Sequence, residues 1–436
     1  MLNDDAQGSS SMERTTKRPR WTRRAAMLGG GVAVFGAAGV LAARKRDRGG
    51  AHDRYFARLS AALRQAGVAH PTLVIDQARL DLNIAAAREA LRPKRLPLRV
   101  VVKSLPAAGL IDHVARGMGT NRFMVFNGAM LEIMAARPDA DLLLGKPLPA
   151  TQYAEIVDRI GAEAASRVQW LIDTPIRLKQ YAEIAAARGA RLRANLEIDV
   201  GLHRGGFPDG EVLGEALDIA RGLPHVAISG LMGYDAHVSK MGDPAAAYAA
   251  SQKIYHTAIG VLRARLNLDP AKLTLNGAGS PTYRRHAEGT AANEVSVGSA
   301  FVKPVDFDIP SLEGHVPAAF IATPVIKAQR MELPGHEWLT GPLTFMDPNA
   351  ARAFFIYGGH WLATPVSPPG LQFSGLYGRS SNQEMLTGSN AVELQPDEYV
   401  FLRPNQSEAV FLQFGDIALF DGEKITGAWP AFPASA

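Results

Sequence analysis

The stretch Arg99-Val100-Val101-Val102-Lys103 decides the fold that the sequence predicts. Three consecutive β-branched apolar residues are typical of a strand that is buried on both faces, as in a parallel sheet. The run delivers Lys103 to the strand end, where parallel α/β and barrel enzymes carry their chemistry. A lysine that is partly desolvated at such a place can form a Schiff base. The alternative is a structural lysine that forms a salt bridge at a strand end.

Similar apolar runs recur along the chain, and helical stretches such as residues 176–188 lie between them. This strand–helix alternation over about 240 residues predicts a mostly parallel sheet, and roughly eight strands at that length favour a (β/α)8 barrel over an open sheet. The runs that we assign to the barrel are Thr72–Asp76, Leu98–Lys103, Arg122–Phe126, Asp141–Gly145, Val168–Asp173, Arg193–Asp199, Val226–Met232 and Lys272–Asn276.

The chain of 436 residues is too long for one ordinary core, and its composition, with 47% apolar and 20% charged residues, is that of a globular protein. We predict the barrel over residues 71–310, after a linker or helix over 51–70. From about residue 311, Pro and Gly become frequent and short apolar runs alternate with turns. That texture predicts a β-rich C-terminal domain over 311–436.

The first fifty residues are predicted to be a targeting segment. A basic region that includes Arg23 and Arg24 precedes Ala25–Ala43, an uncharged stretch of 19 residues rich in Gly and Ala. It resembles a twin-arginine export signal, and its length reaches the roughly 17–25 residues that span a bilayer. We therefore expect an exported protein, periplasmic or anchored to the membrane through residues 25–43 and facing the periplasm. The alternative is a cytoplasmic protein with a basic leader.

Charge and cysteine content exclude several classes of function. The formal net charge is +5, but the basic leader supplies more than this excess, so the charge gives no case for nucleic-acid binding. The chain contains no Cys, which excludes disulfides, a thiolate nucleophile and Cys-ligated metal centres.

Three polar clusters follow predicted strands. The segment 196–206 places Asp199, His203 and Arg204 at one strand end, and its alternative interpretation is an ordinary turn with a structural Asp–Arg pair. A second strand ends in Tyr234 and His237, where a structural histidine is the alternative to a catalytic one.

The third cluster is the segment Asn276–Tyr283, which follows the last predicted strand. Gly277 and Gly279 allow backbone amides to face an anion, and Ser280 and Thr282 add hydroxyl donors. A Gly-rich turn alone is a weak signal, but a place late in a barrel is where phosphate sites are often found. The sequence therefore predicts a phosphate-binding loop here.

Taken in order, a strand-end lysine, Glu-Ile-Asp-Val-Gly-x-x-Arg-x-Gly (197–206), Gly-Tyr-x-x-His (233–237) and a Gly-rich loop resemble the fold-type III pyridoxal-phosphate (PLP) enzymes, the alanine-racemase-like barrels. The motifs are most similar to the D-threonine aldolase and D-serine dehydratase branch. The opening run Thr72–Asp76, with Leu80 and Asn83-Ile84, also fits that branch.

The resemblance implies a role for each matching residue. Lys103 would hold PLP through a Schiff base and then move a proton at the substrate Cα. The remaining cofactor-binding residues would be Arg204 beside the pyridine ring, His237 and Tyr234 around it, and Gly277, Gly279, Ser280, Thr282 and Tyr283 at the phosphate. Catalysis would involve Lys103, His237 and Tyr234.

Ser296 stands where racemases of this family carry an arginine that faces the pyridine nitrogen. A serine removes a positive partner from the ring nitrogen, which then takes up a proton more readily and makes PLP a stronger electron sink. The resemblance thus favours elimination or retro-aldol chemistry over racemisation.

One motif departs from the aldolase branch, which uses a metal bound by a late Pro-Asn-His-x-Cys-like or Pro-Asn-His-x-Asp-like pair. The matching segment here is Pro404-Asn405-Gln406-Ser407-Glu408, and no His follows His360. We therefore predict no metal site, the alternative being a substitute built from His360, Glu408 or Asp416.

The resemblance predicts a PLP-dependent lyase that acts on a D- or 3-hydroxy-amino acid, of the aldolase or dehydratase type. The first alternative is an amino-acid racemase, in which Tyr357 or Tyr377 of a partner subunit would supply the second base. A homodimer is expected, because in this family the partner's β-domain completes the barrel mouth. The second alternative is a PLP-binding protein without catalytic activity.

Overall fold

A computed structural model describes residues 44–434, so the predicted signal or anchor at residues 25–43 lies outside the described chain. The described residues form a closed barrel of eight parallel strands and a separate β-rich sheet, as predicted. In chain order, the first nine strands are β1 (Thr72–Asp76), β2 (Leu98–Val101), β3 (Arg122–Val125), β4 (Asp141–Leu144), β5 (Gln169–Ile172), β6 (Leu192–Glu197), β7 (Val226–Gly233), β8 (Thr274–Gly277) and β9 (Glu294–Val297).

The barrel consists of β2 to β9 in sequential order, and pairing of β2 with β9 closes it. Helices on the outside cover the strands, which is why the strands read as apolar runs rather than as alternating patterns. The helices that follow the barrel strands, or precede them, are Gln77–Leu91, Ala108–Met118, Gly128–Ala135, Ala150–Ile160, Ala162–Arg167, Pro175–Ala187, Gly210–Arg221, Pro244–Leu266 and Tyr283–Glu288.

The second sheet has nine strands in the order β13-β14-β11-β10-β1-β16-β17, with β15 pairing to β10 and β12. Its further strands are β10 (Ala319–Arg330), β11 (Arg352–Tyr357), β12 (Ala363–Ser367), β13 (Gln372–Phe373), β14 (Gln383–Gly388), β15 (Tyr399–Pro404), β16 (Asp416–Phe420) and β17 (Ile425–Pro430). Two helices, Glu337–Met346 and Ser407–Val410, interrupt these strands.

The assignment of Thr72–Asp76 to the barrel is wrong. This strand, β1, lies in the second sheet, antiparallel to β10 and parallel to β16. The eighth barrel strand is instead Glu294–Val297, which completes the cylinder between β8 and β2. All five residues of β1 are buried, so its apolar run fits the middle of either sheet equally well.

The helix Arg54–Gln65 covers one face of the second sheet. Asp53 caps its first turn by accepting a hydrogen bond from the backbone N–H of Phe56 (2.9 Å). Its buried side chains Phe56, Leu59 and Leu63 pack in one cluster with residues of β1, β10, β15 and β16. The chain before the barrel thus belongs structurally to the sheet that follows it.

A buried polar network joins the barrel strands. Arg99 on β2 is fully buried, and its guanidinium donates to Glu294 Oε1 on β9 (2.6 Å) and to Asp141 Oδ2 on β4 (3.1 Å). Asn276 on β8 donates to the same Glu294 oxygen (2.7 Å), and Arg122 donates to the other one (2.8 Å). Each buried charge therefore has an opposite charge and several hydrogen bonds, which is the condition for burying it.

Within residues 44–434, none of the helices combines the length and the apolar character needed to cross a membrane.

Candidate active site

A pocket opens at the carboxyl ends of the barrel strands and encloses about 590 Å³, its open mouth included. Six of the predicted site residues lie in its wall: Lys103, Arg204, Tyr234, Gly279, Ser280 and Ser296. The other lining residues are Val101, Ser104, Met124, Phe126, Gly145, Met232, Asn276, Ala278, Pro281, Gly298, Ser299, Phe307 and Glu408.

Lys103 extends into this pocket from a single 3-10 turn, Val102–Ser104, that directly follows β2. Its side chain is 38% exposed, with the amine 4.5 Å from the ring centroid of Phe126 and 3.7 Å from Glu408 Oε1. An ammonium over an aromatic face and beside a carboxylate is stabilised by both. The amine is held in place and remains accessible from the pocket.

Glu408 is the site residue whose place the sequence did not predict. It comes from the short helix Ser407–Val410 of the second domain and is separated from Lys103 by about three hundred residues. Its carboxylate accepts hydrogen bonds from Ser104 Oγ (3.3 Å) and Ser407 Oγ (3.1 Å). The sequence signal for it is the acidic residue at the end of Pro404–Glu408, which the sequence suggests only as a ligand of a substitute metal site.

The loop after β8 forms the opposite wall of the pocket. Ala278 has a positive φ of 64°, and a side chain at Gly279 would lie 2.5 Å from the Tyr234 ring, so only glycine fits there. Ser280 Oγ accepts hydrogen bonds from the backbone N–H groups of Gly298 (3.3 Å) and Ala300 (3.0 Å). Because both bonds use the oxygen as acceptor, the hydroxyl proton of Ser280 can be donated to a ligand.

The loop after β9 adds a second hydroxyl to this end of the pocket. Ser299 Oγ donates to Ser104 Oγ (3.1 Å), which in turn donates to Glu408. A side chain at Gly298 would collide with Ser104 and Val101, so the loop approaches β2 closely. The Ser299 proton is thus already donated to Ser104, whereas the hydroxyl of Ser280 and the backbone of two Gly-containing loops give this end donors of the kind that a phosphate requires.

Four predicted site residues do not line the pocket. Gly277 lies in β8 against the His286 ring, and Thr282 donates a buried hydrogen bond to Asp235 (2.6 Å). His237 contacts Ser251, with its Nε2 3.5 Å from the Ser251 hydroxyl. Tyr283 is also buried away from the pocket.

Tyr283 and His315 form a neutral pair behind the loop. The Tyr283 hydroxyl lies 2.7 Å from His315 Nε2. Burial raises the pKa of Tyr283 to about 12 and lowers the pKa of His315 to about 4, a shift that nearby Arg284 and Lys303 reinforce. Both groups therefore stay uncharged near neutrality, and they are joined by a buried hydrogen bond directly after the loop.

The aromatic wall of the pocket is made by Tyr234. The guanidinium of Arg204 lies 4.8 Å from the centroid of its ring. Burial raises the pKa of the Tyr234 hydroxyl, and the charge of Arg204 opposes that rise in part. The tyrosine is thus neutral in the folded protein near pH 7.

The floor of the pocket is connected to the buried network. The Ser296 hydroxyl lies between the two polar atoms of the Asn276 side chain, 2.8 Å from Nδ2 and 3.1 Å from Oδ1. Asn276 also binds Glu294. A ligand atom that faces Ser296 would therefore meet a hydroxyl that a charged network holds in position.

Two acidic residues near the mouth differ in environment. Burial raises the pKa of Glu197, at the end of β6, to about 7, with a contribution from Asp173 and against the pull of Arg204. Asp199 has a lowered pKa because it accepts the backbone N–H and the ring Nδ1 of His203 (2.9 and 2.8 Å). Asp199 thus pairs with His203, and not with Arg204 as the alternative interpretation of this segment had it.

A substitute metal site at His360, Glu408 and Asp416 is not formed. Among residues 44–434, no group of three or more His, Cys, Asp or Glu side chains is arranged to hold a metal ion. The backbone N–H of His360 donates to Glu384 (2.7 Å), while Glu408 faces Lys103.

Comparison with known families agrees with this geometry. The family model described as "Alanine racemase, N-terminal domain" matches residues 75–304, which is more than half of the chain. The chain belongs to this family. The recognition of an alanine-racemase-like barrel is therefore confirmed, and the matched region contains every lining residue of the pocket except Phe307 and Glu408.

Solved structures similar to this alanine-racemase-family chain match its fold over 83% or 84% of its length. D-threonine aldolase from Filomicrobium marinum is 16% identical, with a TM-score of 0.66 over 83% of this chain and 96% of that chain. D-threo-3-hydroxyaspartate dehydratase from Delftia sp. HT23 is 16% identical (TM-score 0.65; 84% and 98%). Alanine racemase from Clostridium difficile 630 is 12% identical (TM-score 0.63; 83% and 98%). By sequence, no curated protein matches the chain.

The pocket fits the cofactor of this family, PLP. An accessible amine, that of Lys103, lies at one end of it. Hydroxyls and closely packed glycine loops form another wall, where a Cβ at Gly279 or Gly298 would fill space against Tyr234 or Ser104. PLP carries an aldehyde, which bonds to an amine, and a phosphate, which needs hydrogen-bond donors. This one cavity provides both the amine and the donors.

Proposed function

We propose that the protein is a PLP-dependent lyase that acts on a D- or 3-hydroxy-amino acid and cleaves or eliminates at Cβ. The observation that carries this proposal is the placement of the Lys103 amine beside the Glu408 carboxylate, inside a pocket with a phosphate-type loop. The names of two similar structures, D-threonine aldolase and D-threo-3-hydroxyaspartate dehydratase, support the choice of reaction class.

Lys103 would hold PLP covalently, and Ser280 and the backbone of the two loops would hold its phosphate. Arg204, Tyr234 and Ser296 would surround the ring. When bound, PLP supplies an electron sink that stabilises negative charge at the Cα of an amino acid. The apolar lining formed by Met124, Phe126, Met232 and Phe307 keeps water away from that carbon.

Glu408 is the residue that we propose handles the proton of a substrate hydroxyl. Its carboxylate faces the pocket, is 30% exposed, and is connected through Ser104 to Ser299. A carboxylate within hydrogen-bond reach of a 3-hydroxyl can accept its proton for retro-aldol cleavage or, when protonated, assist its departure as water. The amine of Lys103 stands on the same side of the pocket and would move the proton at Cα.

The second candidate is a racemase, which needs a second base on the opposite side of Cα from Lys103. Tyr357 and Tyr377 are 47% and 60% exposed, and neither lines the pocket of its own chain. In a homodimer, one of them could reach the partner's pocket. Tyr357→Phe or Tyr377→Phe would then abolish racemisation, whereas a lyase would keep its activity in both variants.

The test combines a spectrum with a substrate panel. The protein, reconstituted with PLP, should show a visible absorption band that borohydride fixes covalently and that Lys103→Ala lacks. A panel of D-amino acids and 3-hydroxy-amino acids, with and without EDTA, should then give a carbonyl product that EDTA does not suppress. No visible band would refute PLP binding. A band with inversion of Cα and no carbonyl product would favour the racemase, and a band without any turnover would leave a PLP-binding protein.

A further inference from the structure

The helix Glu337–Met346 presents large apolar side chains that stay half or more exposed, or nearly so, among the described residues. Trp338 is 74% exposed, Leu343 is 52% exposed and Phe345 is 47% exposed. No residue of this helix is buried, although a surface helix of a globular domain normally packs an apolar stripe against its core. Exposed apolar side chains grouped in this way indicate a surface that meets something apolar.

The first described residues of the chain lie against this helix. The guanidinium of Arg44 lies 4.9 Å from the ring centroid of Phe345, and the backbone N–H of Lys45 donates to the carbonyl of Met346 (2.9 Å). The uncharged segment Ala25–Ala43 ends at the residue before Arg44. The apolar helix therefore lies against the residues that directly follow this segment in the sequence.

The charges near the helix are balanced. Arg44, Lys45, Arg46 and Arg48 are all exposed, and so is Asp47 between them. Glu332, Glu337 and Asp347 lie in the same region, and Asp347 pairs with Lys45 (2.7 Å). The arginines can contact lipid phosphates, but the attraction to a lipid surface comes chiefly from the apolar side chains.

We propose that the helix Glu337–Met346 lies in the headgroup layer of the bilayer in which residues 25–43 are anchored. Trp338, Leu343 and Phe345 insert among the ends of the acyl chains, and Arg44 and Arg46 contact lipid phosphates. Tryptophan is enriched at this depth of a bilayer because its ring is apolar and its N–H is polar. The anchor keeps the helix at high local concentration over the membrane, so a short helix is sufficient. The proposal requires neither PLP nor turnover and is independent of the proposed function.

Fluorescence of Trp338 tests the proposal in the full-length protein. The protein is reconstituted into vesicles of phosphatidylcholine and phosphatidylglycerol, with and without phospholipid brominated near the headgroup end of its acyl chains. The difference between wild type and Trp338→Phe isolates the emission of Trp338. We expect Trp338 to lose most of its emission in the brominated vesicles and to become shielded from aqueous acrylamide when vesicles are present.

Matched variants identify the surface. Phe345→Asp should reduce the quenching of Trp338 by brominated lipid, while Ile176→Asp, at a 70% exposed position on a barrel helix, should not. Emission that acrylamide still quenches in the presence of vesicles would overturn the proposal, because the helix would then lie in water. Shielding from acrylamide without quenching by brominated lipid would overturn it too, because the chain's own leader or a second copy, and not the acyl chains, would then cover the helix.

Discussion

The barrel contains two clusters of opposite charges, and they differ in how completely their groups are satisfied. In the interior, Arg99 and Glu294 are fully buried, and their closest N–O distance is 2.6 Å. At the mouth, Lys103 is 38% exposed and stands 3.7 Å from Glu408. The interior cluster has no capacity left for a ligand, whereas the mouth cluster keeps accessible donors and acceptors. The comparison separates charges that maintain the fold from charges that are placed for chemistry.

The largest effect is expected from Lys103→Ala, because this variant removes the amine that would hold PLP. Activity should fall by more than about 1,000-fold, the scale seen when a covalent catalytic group is lost. The melting temperature without PLP should stay unchanged, since the amine is half-exposed and loosely paired. Lys146→Ala, at an exposed lysine that follows β4, is the control and should keep both the visible band and the activity. A variant at Lys103 that retained the band would contradict the assignment.

Arg99→Met, unlike Lys103→Ala, should lower the stability of the fold. Removing one partner leaves Glu294 and Asp141 with buried uncompensated charge, which costs about 3–5 kcal/mol of unfolding free energy. Urea denaturation measures the change, and Arg92→Met, at a pair whose partners are both mostly exposed, should change stability little. If the two variants were equally stable, the interior network would not be the structural cluster that we describe.

Glu408→Gln tests whether the carboxylate at the mouth of the barrel takes part in proton transfer. The amide keeps the shape and the hydrogen bond with Ser104 but cannot take a proton, so kcat should fall by about 100-fold, as for loss of a general acid–base. The visible band and the affinity for PLP should remain. Glu423→Gln, at an exposed carboxylate, serves as control. A wild-type kcat in the Glu408 variant would remove this residue from the proposed mechanism.

Glu197 shares features with both clusters: it is largely buried, as the interior cluster is, but it has no close cationic partner. Of the four substitutions, the one at Glu197 should have the smallest effect. Since burial raises its pKa from an ordinary 4.5 to about 7, the folded protein favours the protonated form. Ionisation then costs stability progressively above pH 4.5, and the cost is complete above about pH 7. Glu197→Gln should be more stable than wild type by about 2 kcal/mol near pH 8, which is less than the full pKa shift implies because solvent screens the partly exposed side chain, and equally stable near pH 4. Glu215→Gln, at an exposed position, should show no such pH dependence.

The sequence predicted the architecture and most of the pocket, because apolar runs and polar strand ends are local signals. Seven barrel strands are confirmed near their predicted places. The run Thr72–Asp76 was assigned to the wrong sheet because full burial produces the same apolar pattern in both. The strand Glu294–Val297 was missed as a barrel strand because it carries a glutamate and a serine, which only Arg99 and Asn276, distant in sequence, make compatible with burial.

Within the site, local reasoning led to Lys103, Gly279 and Ser280, which line the pocket, and to neighbours that do not line it; the roles of all of them stay predictions. Thr282 and His237 follow strands as predicted, yet their hydrogen bonds to Asp235 and Ser251 are tertiary contacts with no sequence signature. Glu408 reaches the pocket from the other domain, and no spacing rule connects it to Lys103. Contacts between domains were therefore the part of the site that a pattern could not predict.

The position of β1 has a consequence for how the protein is made. β1 emerges from the ribosome before the barrel, but its neighbours β10 and β16 follow after the barrel, with Leu73 opposite Ile321 and Ile417. During synthesis the barrel can close while β1 still has no hydrogen-bonded partner strand on either edge. The second sheet is sealed only when almost the whole chain has been translated, and the helix that brings Glu408 to Lys103 is made in the same late interval. A nascent chain would thus acquire its fold first and its chemistry last.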